Sequence, residues 1–86
     1  MKLSRPQRDV LARMATGGVL FVRLERTDSG VEETCWIGSF ELHPMTVNAL
    51  IAAGLIARQG EVRGKNGLRT ASYAMSYTGQ AALHAS

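Results

Sequence analysis

The sequence predicts a single α+β domain over residues 1–86, in which three helices alternate with two β-hairpins. Three observations predict this fold class. Apolar residues recur at helical spacing in some segments and at every second position in others, and these two periods mark helices and strands. Glycine and proline stand where the period changes. Hydrophobic residues make up 45% and charged residues 20% of the chain, which is typical of a globular domain.

The first helix is predicted to begin after Ser4. Ser4 can accept a hydrogen bond from the backbone N–H of Gln7, and the Gln7 side chain can return one to the backbone of Ser4, as in a capping box. The apolar residues of this helix share one side: Val10, Leu11 and Met14. Two glycines at 17–18 end the helix, because glycine adopts the left-handed cap conformation at little cost.

A β-hairpin is predicted over residues 19–37. Apolar residues at every second position from Leu20 to Leu24 indicate a strand with one buried side. The turn at 27–30 ends in a glycine, which can supply a positive φ. Phe21 and Trp36 are capable of stacking on nucleic-acid bases, but their strand positions favour packing as core or semi-buried residues.

The central helix is predicted to start at Pro44, a residue suited to the first helical turn, with His43 near the cap position. Its inward apolar residues are Val47, Leu50 and Ile51. Only residues 38–43 separate this helix from the first hairpin, which is too few for a full preceding helix. We expect Phe40 and Leu42 to occupy a single helical turn there.

A second hairpin is predicted after the central helix. One strand starts at Leu55, and the polar, glycine-containing stretch from Gly60 to Gly67 is predicted to be a flexible loop. Residues 68–76 return as the partner strand. Thr78 is then predicted to cap a last short helix over 79–84.

The second half of the chain, from about Thr46 to Leu83, resembles the winged helix-turn-helix of MarR-like regulators. The matching residues are Thr46, Val47, Leu50, Ile51, Gly54, Leu55 and Ile56, then Tyr73, Thr78, Gly79, Ala81 and Leu83. In that family the first of these segments is the recognition helix with the strand that follows, and the next loop is the wing. The resemblance therefore implies a winged helix: helix, β-hairpin, recognition-like helix, β-hairpin wing and short C-terminal helix.

A second, scattered resemblance covers more of the chain and is to small bacterial proteins of the YjhX type. It rests on Leu3-Ser4-Arg5, Leu11, Ala15, Gly17-Gly18, Cys35, Tyr73 and Thr78-Gly79. The central helix of this chain is about one turn shorter than in that family. Those proteins are described as the toxins of toxin–antitoxin pairs, so the resemblance implies a protein partner, either an antitoxin or a target enzyme.

The wing is the main candidate for nucleic-acid binding. Its candidate contacts are Arg58, Arg63, Lys65, Asn66 and Arg69, and Glu61 is the one acid among them. Cations on such a hairpin can lie along a sugar–phosphate backbone or enter the minor groove. Neutralising phosphates releases counterions, which drives sequence-independent binding. The alternative interpretation is a solvated hairpin that is kept soluble by its charge.

The outward face of the central helix, residues 44–53, permits two functional interpretations. Base edges are read by side-chain donors and acceptors, and the helix offers three candidates for this role: His43, Thr46 and Asn48. The remaining outward residues are apolar and mostly small: Met45, Ala49, Ala52 and Ala53. These four would suit close packing against another protein, so base readout, a protein interface and a plain exposed face all stay open.

No group of residues has the spacing of a catalytic, metal or cofactor site, so we expect neither enzyme activity nor a cofactor. His43 and His84 each lack a neighbouring ligand at metal-binding spacing. Cys35 is single, cannot form an internal disulfide and is predicted to be a small buried strand residue. Glu32 and Glu33 are adjacent in a strand and therefore point to opposite faces.

Charge and hydropathy bound the partners and the compartment. The formal net charge of +3 is mildly basic and permits a phosphate partner. No apolar run marks a signal peptide or a membrane span, so we expect a cytoplasmic protein that does not enter a membrane. The expected function is DNA-binding transcription regulation. A homodimer is also expected, because a core this small leaves little surplus stability. The alternative is a protein-interaction module, toxin-like or inhibitory, that docks on a larger partner.

Overall fold

The computed structural model describes residues 2–85. Its elements are α1 Arg5–Ala15, β1 Leu20–Thr27, β2 Gly30–Ile37, β3 Phe40–Leu42, α2 Pro44–Ala52, β4 Ile56–Arg63, β5 Arg69–Met75 and α3 Tyr77–Ala85. The strands form one antiparallel sheet in the order β3-β2-β1-β5-β4. The buried residues of these strands all project from the same face, and the three helices pack on that face.

The winged-helix prediction is wrong. In a winged helix the helices form a compact trihelical unit, and the strands are a small wing beside it. Here β1 pairs with β5 from Leu20↔Tyr73 to Leu24↔Arg69, so both hairpins merge into a single five-stranded sheet. The segment before α2 is strand β3, so in residues 2–85 no helix precedes α2 at helix-turn-helix spacing. The observed class is α+β with a helical layer on one side of an antiparallel sheet.

The predicted start of α1 is confirmed. The Ser4 Oγ accepts from the Gln7 backbone N–H at 3.2 Å, and the Gln7 Oε1 accepts from the Ser4 backbone N–H at 2.9 Å. The predicted stripe of Val10, Leu11 and Met14 is buried. The helix therefore packs by the residues that its apolar period identified.

The sheet has two unlike faces, which we call the helical face and the open face. In β1 and β2, the helical face carries Leu20, Val22, Cys35 and Ile37, all buried. The open face carries the residues between them, including Phe21 and Trp36, which are half-buried and stack on each other with ring centroids 5.6 Å apart. The predicted alternation in β1 and the semi-buried placement of both aromatic rings are confirmed.

Strand β3 replaces the single helical turn predicted for Phe40 and Leu42, which is a second correction. Gly38 adopts a φ of 58° and allows a tight reversal, after which Phe40 pairs with Ile37 and Leu42 with Cys35. Backbone pairing to the free edge of β2 satisfies more polar groups than one isolated helical turn would.

Helix α2 follows its prediction closely. The His43 Nδ1 accepts from the Met45 backbone N–H at 3.1 Å and caps the helix. Val47 and Leu50 are fully buried, and Ile51 packs partly against the core. Gly54, with a φ of 73°, follows the end of the helix and lets the chain reverse into the next strand.

The second hairpin is more regular than predicted. Strand β4 continues through Gly60 to Arg63, so the predicted flexible loop over 60–67 is reduced to a short turn between β4 and β5. The predicted cap of the last helix is also wrong. The Ser76 Oγ, rather than Thr78, accepts from the Gly79 N–H at 3.0 Å, and α3 accordingly begins at Tyr77.

None of the helices found within residues 2–85 combines the length and the apolar character needed to cross a membrane.

Candidate nucleic-acid interface

Three arginines of the second hairpin project from the helical face of the sheet, and all three side chains are at least half exposed. In strand pairs, Arg58 lies opposite Tyr73, and Arg63 lies opposite Arg69. Tyr73 pairs with Leu20 and Arg69 pairs with Leu24, so Tyr73 and Arg69 project from the helical face, as Leu20 does. The three guanidinium groups therefore share one side of the β4–β5 ribbon.

A β-bulge between Arg58 and Gly60 is what places Arg58 there. Residues three apart in a regular strand point to opposite faces. Because the bulge adds one residue, Arg58 and Glu61 point to the same face, as their pairing partners Tyr73 and Ala71 do. Gly60 within the strand pattern was the sequence feature that could have indicated this bulge.

Glu61 lies between the three arginines. Its carboxylate is 3.8 Å from the Arg58 guanidinium, 3.9 Å from that of Arg63 and 3.9 Å from that of Arg69. The Glu61 side chain is 24% exposed, whereas those of the arginines are 50–75% exposed. One carboxylate at these long distances uses few of the five N–H donors that each guanidinium offers, so most donors face solvent.

The second hairpin is strongly basic. Residues 56–75 contain four cations and one acid, a net charge of +3. Residues 1–19 have the same balance, whereas residues 20–42, with two cations and five acids, have a net charge of −3. An anionic ligand is therefore attracted to the second hairpin and to the N-terminal segment, and is repelled by residues 20–42.

The tip of the hairpin is a hydrogen-bonded turn. The Gly64 N–H donates to the Leu68 carbonyl at 2.7 Å, and the Leu68 N–H donates to the Lys65 carbonyl at 3.2 Å. Asn66 takes a left-handed φ of 59°. Lys65 and Asn66 are both exposed, so the tip presents one ammonium and one amide to solvent.

Arg26 is a further cation near this surface, and it was not among the nucleic-acid contacts predicted from the sequence. It lies on β1 with its β-carbon against Gly67 of the turn, and it is exposed. Only the β1–β5 pairing brings it there, since Arg26 and Gly67 are far apart in sequence.

The helix candidates do not join the arginines. His43 uses its Nδ1 atom to cap α2, and Thr46 lines a shallow depression beside Pro6 and Asp9 of the N-terminal region. Asn48 donates from its Nδ2 atom to the Glu33 carboxylate at 3.3 Å. The predicted nucleic-acid set is therefore split between the basic hairpin and separate sides of α2.

The predicted protein-contacting face of α2 is mostly exposed. Met45 is 75% exposed, and Ala49 and Ala52 are exposed as well. Ala53 differs, because it packs partly against the core. Three of the four residues therefore form an accessible apolar stripe.

The Cys35 thiol is not activated as a nucleophile. Its side chain is fully buried, and its Sγ donates to the Glu33 carboxylate at 3.7 Å. Burial, reinforced by the negative charge of Glu33, raises the pKa of the Cys35 thiol to about 12. Within residues 2–85, no cluster of three or more His, Cys, Asp or Glu side chains is placed to hold a metal ion.

Comparison of the chain with models of known protein families, with curated proteins and with solved structures gives no match.

Proposed function

We propose that this protein binds nucleic acid by its phosphate backbone, with Arg58, Arg63 and Arg69 as the principal contacts and duplex DNA as the ligand. The observation that carries the proposal is the convergence of these three exposed guanidiniums around Glu61 on one side of a β-ribbon. Guanidinium groups can hydrogen-bond to phosphate in a bidentate manner, which gives stronger contacts than a single point charge does.

The position of the arginines supports contact with an extended polyanion. On the helical face, burial in β1 and β2 ends at Val22 and Cys35, and the sheet beyond them is not covered by the core. Arg63 and Arg69 lie along this uncovered part, whereas Arg58 lies level with Leu20 on the edge strand β4. A two-stranded β-ribbon is narrow enough to enter the major groove or to follow the backbone beside it.

The proposal concerns backbone contact without sequence readout. Phosphate contacts position a protein on DNA, while base-edge contacts carry sequence information. Among the candidates on α2, His43 caps the helix, Asn48 bonds to Glu33 and Thr46 lines the depression beside Pro6, so none of them joins the arginines. We therefore expect similar affinities for duplexes of different sequence.

The test is fluorescence anisotropy with a labelled random-sequence duplex, titrated at several salt concentrations. The wild-type chain should bind at low salt, and three phosphate contacts should give a slope of log K against log salt of about −2.7. The triple variant Arg58→Gln, Arg63→Gln, Arg69→Gln should lose most of this affinity and nearly all of the salt dependence.

A matched control removes three exposed cations elsewhere, through Lys2→Gln, Arg5→Gln and Arg8→Gln. Both variants lower the net charge equally, so a general charge effect would weaken binding equally. Equal weakening, or no binding by the wild-type chain at low salt, would refute the proposal. Stronger binding to single-stranded RNA than to the duplex would assign the ligand to RNA instead.

A protein partner is the second candidate function, and the exposed stripe of Met45, Ala49 and Ala52 supports it. This stripe carries no cation, so its ligand would be recognised by apolar contact. Ala49→Arg should abolish capture of such a partner from nuclease-treated lysate and leave duplex binding intact. If the hairpin variant abolishes the capture instead, the stripe is not the interface.

A further inference from the structure

Glu61 is the side chain that all three arginines of the second hairpin share. Its carboxylate lies 3.8 Å from the guanidinium of Arg58 and 3.9 Å from those of Arg63 and Arg69. These distances are too long for good hydrogen bonds, so the carboxylate attracts the guanidiniums without saturating their N–H donors. The point at which the three attractions converge is therefore already held by a negative charge of the protein itself.

The strand register fixes Glu61 at this point. Glu61 pairs with Ala71, whose methyl group is the smallest side chain that β5 places on the helical face. The pairs on either side of it are Arg58 with Tyr73 and Arg63 with Arg69. The Glu61 side chain is 24% exposed and those of the arginines are 50–75% exposed, so the guanidiniums extend further into solvent than the carboxylate does.

A purely structural role for Glu61 is also available. Arg63 and Arg69 lie directly opposite each other on paired strands, and like charges in this position destabilise a sheet. The Glu61 carboxylate offsets their repulsion. This role predicts an effect on stability alone, whereas the position of the carboxylate has a second consequence, for the anions that the arginines can bind.

We propose that Glu61 determines the class of ligand at the arginine cluster: it excludes isolated small anions, such as inorganic phosphate, and leaves the cluster open to a continuous chain of phosphodiesters. This inference rests on the proposed function, because it takes the three arginines as phosphate contacts. A single small anion would be held best at the point of convergence, where Glu61 already lies and repels it. On the solvent side it meets one exposed guanidinium at a time, and such a contact is weak in water.

A phosphodiester chain avoids this exclusion. Its successive phosphates can contact the solvent sides of different guanidiniums simultaneously, without entering the position of the carboxylate. Linked contacts reinforce one another, since the first raises the effective concentration of the next. Each neutralised phosphate of the polymer also releases condensed counterions, a gain that a free phosphate ion does not offer. Glu61 therefore removes the best position for a small anion and only part of the attraction for a polymer.

The first experiment is a titration of the Glu61→Gln variant with inorganic phosphate at constant ionic strength, followed by the NMR shifts of the backbone amides. The Kd for phosphate should be about tenfold lower than in the wild-type chain, because one close repulsion is removed. The shifts should be confined to residues 58–71, and the same spectra show whether the variant is folded.

Glu41→Gln is the matched control. Glu41 is exposed on β3, at the opposite edge of the sheet from β4, and its replacement removes the same charge. This variant should bind inorganic phosphate as weakly as the wild-type chain does.

The second experiment begins with the wild-type chain and so does not depend on the folding of Glu61→Gln. Inorganic phosphate should displace the labelled duplex from it no better than chloride does at equal ionic strength. From Glu61→Gln, phosphate should displace the duplex at lower ionic strength than chloride does. Preferential displacement by phosphate from the wild-type chain would overturn the inference.

Equal phosphate affinities of the wild-type chain and a folded Glu61→Gln variant would also overturn it and would leave Glu61 with the structural role alone. An equal gain in Glu41→Gln would do the same, since it would reflect net charge. The two proposals fail separately. Duplex binding by the wild-type chain without a gain in Glu61→Gln refutes only the role of Glu61, whereas the gain without any duplex binding refutes only nucleic acid as the ligand.

Discussion

At the scale of single residues, placement on the sheet decides chemical behaviour. Cys35 and Trp36 are neighbours in β2, but the thiol projects into the core and the indole lies half-buried on the open face. Strand alternation alone separates them. The same rule separates Glu32, which lies on the open face, from Glu33, which accepts hydrogen bonds on the helical face.

The buried thiol leads to a prediction about pH. Because the folded pKa of Cys35 is raised from 9.0 to about 12, the unfolded chain loses the thiol proton first as the pH rises. This contribution to stability is complete below pH 9 and is lost progressively between about pH 9 and pH 12. Urea denaturation at a series of pH values should show the decline.

Cys35→Ala is the matched control, since it should flatten that decline while lowering stability at neutral pH. The native wild-type thiol should also react with a thiol reagent far more slowly than the urea-unfolded chain does, because only the thiolate is nucleophilic. Rapid modification of the native protein would show that the side chain is accessible and that its burial is misassigned.

At the scale of secondary-structure elements, the two later helices are joined through one hydroxyl group. The Ser76 Oγ accepts from the Gly79 N–H at the start of α3 and donates to the Gly54 carbonyl, 2.6 Å away, just after α2. The Ser76 N–H also donates to the Leu55 carbonyl at 3.0 Å. Ser76 therefore fixes where α3 begins and how it sits against the turn that follows α2.

Ser76→Ala should therefore lower the free energy of unfolding by about 1–2 kcal/mol, because it removes an N-cap and leaves the Gly54 carbonyl without this donor. Thr78→Ala, in the exposed first turn of the same helix, should change it by less than about 0.5 kcal/mol. Thermal or urea denaturation of both variants gives the comparison. A larger loss of unfolding free energy for Thr78→Ala than for Ser76→Ala would show that Thr78 caps the helix, as the sequence predicted.

At the scale of the whole molecule, the two faces of the sheet differ in composition. The helical face carries the core and the arginine cluster around Glu61. The open face carries the stacked rings of Phe21 and Trp36.

The exposure of the arginines predicts that binding and folding are separable. The triple arginine variant should lose duplex affinity while its melting temperature stays close to that of the wild-type chain, because the three side chains are at least half exposed. Anisotropy and thermal denaturation on the same samples would check both statements. A large fall in the melting temperature would show that the arginines support the fold.

The local structure of this chain could be predicted from its amino-acid sequence. Four features follow from interactions between residues a few positions apart. They are the capping box of α1, the His43 cap, the buried stripes of the helices and the alternation in β1. The basic character of the second hairpin could also be predicted, because the net charge of a segment depends only on which residues it contains. These features are determined locally, so a periodic pattern is enough to predict them.

The way in which these parts combine depends on contacts between residues that are distant in sequence. Residues 40–42 became a strand because the edge of β2 was available, and Gly60 lies in a bulged strand because β5 pairs beside it. The pairing of Leu20 with Tyr73 joined the two hairpins and displaced the winged-helix arrangement. Backbone hydrogen bonds between strands are nearly independent of side-chain identity, so distant pairing leaves little trace in the residues that form it.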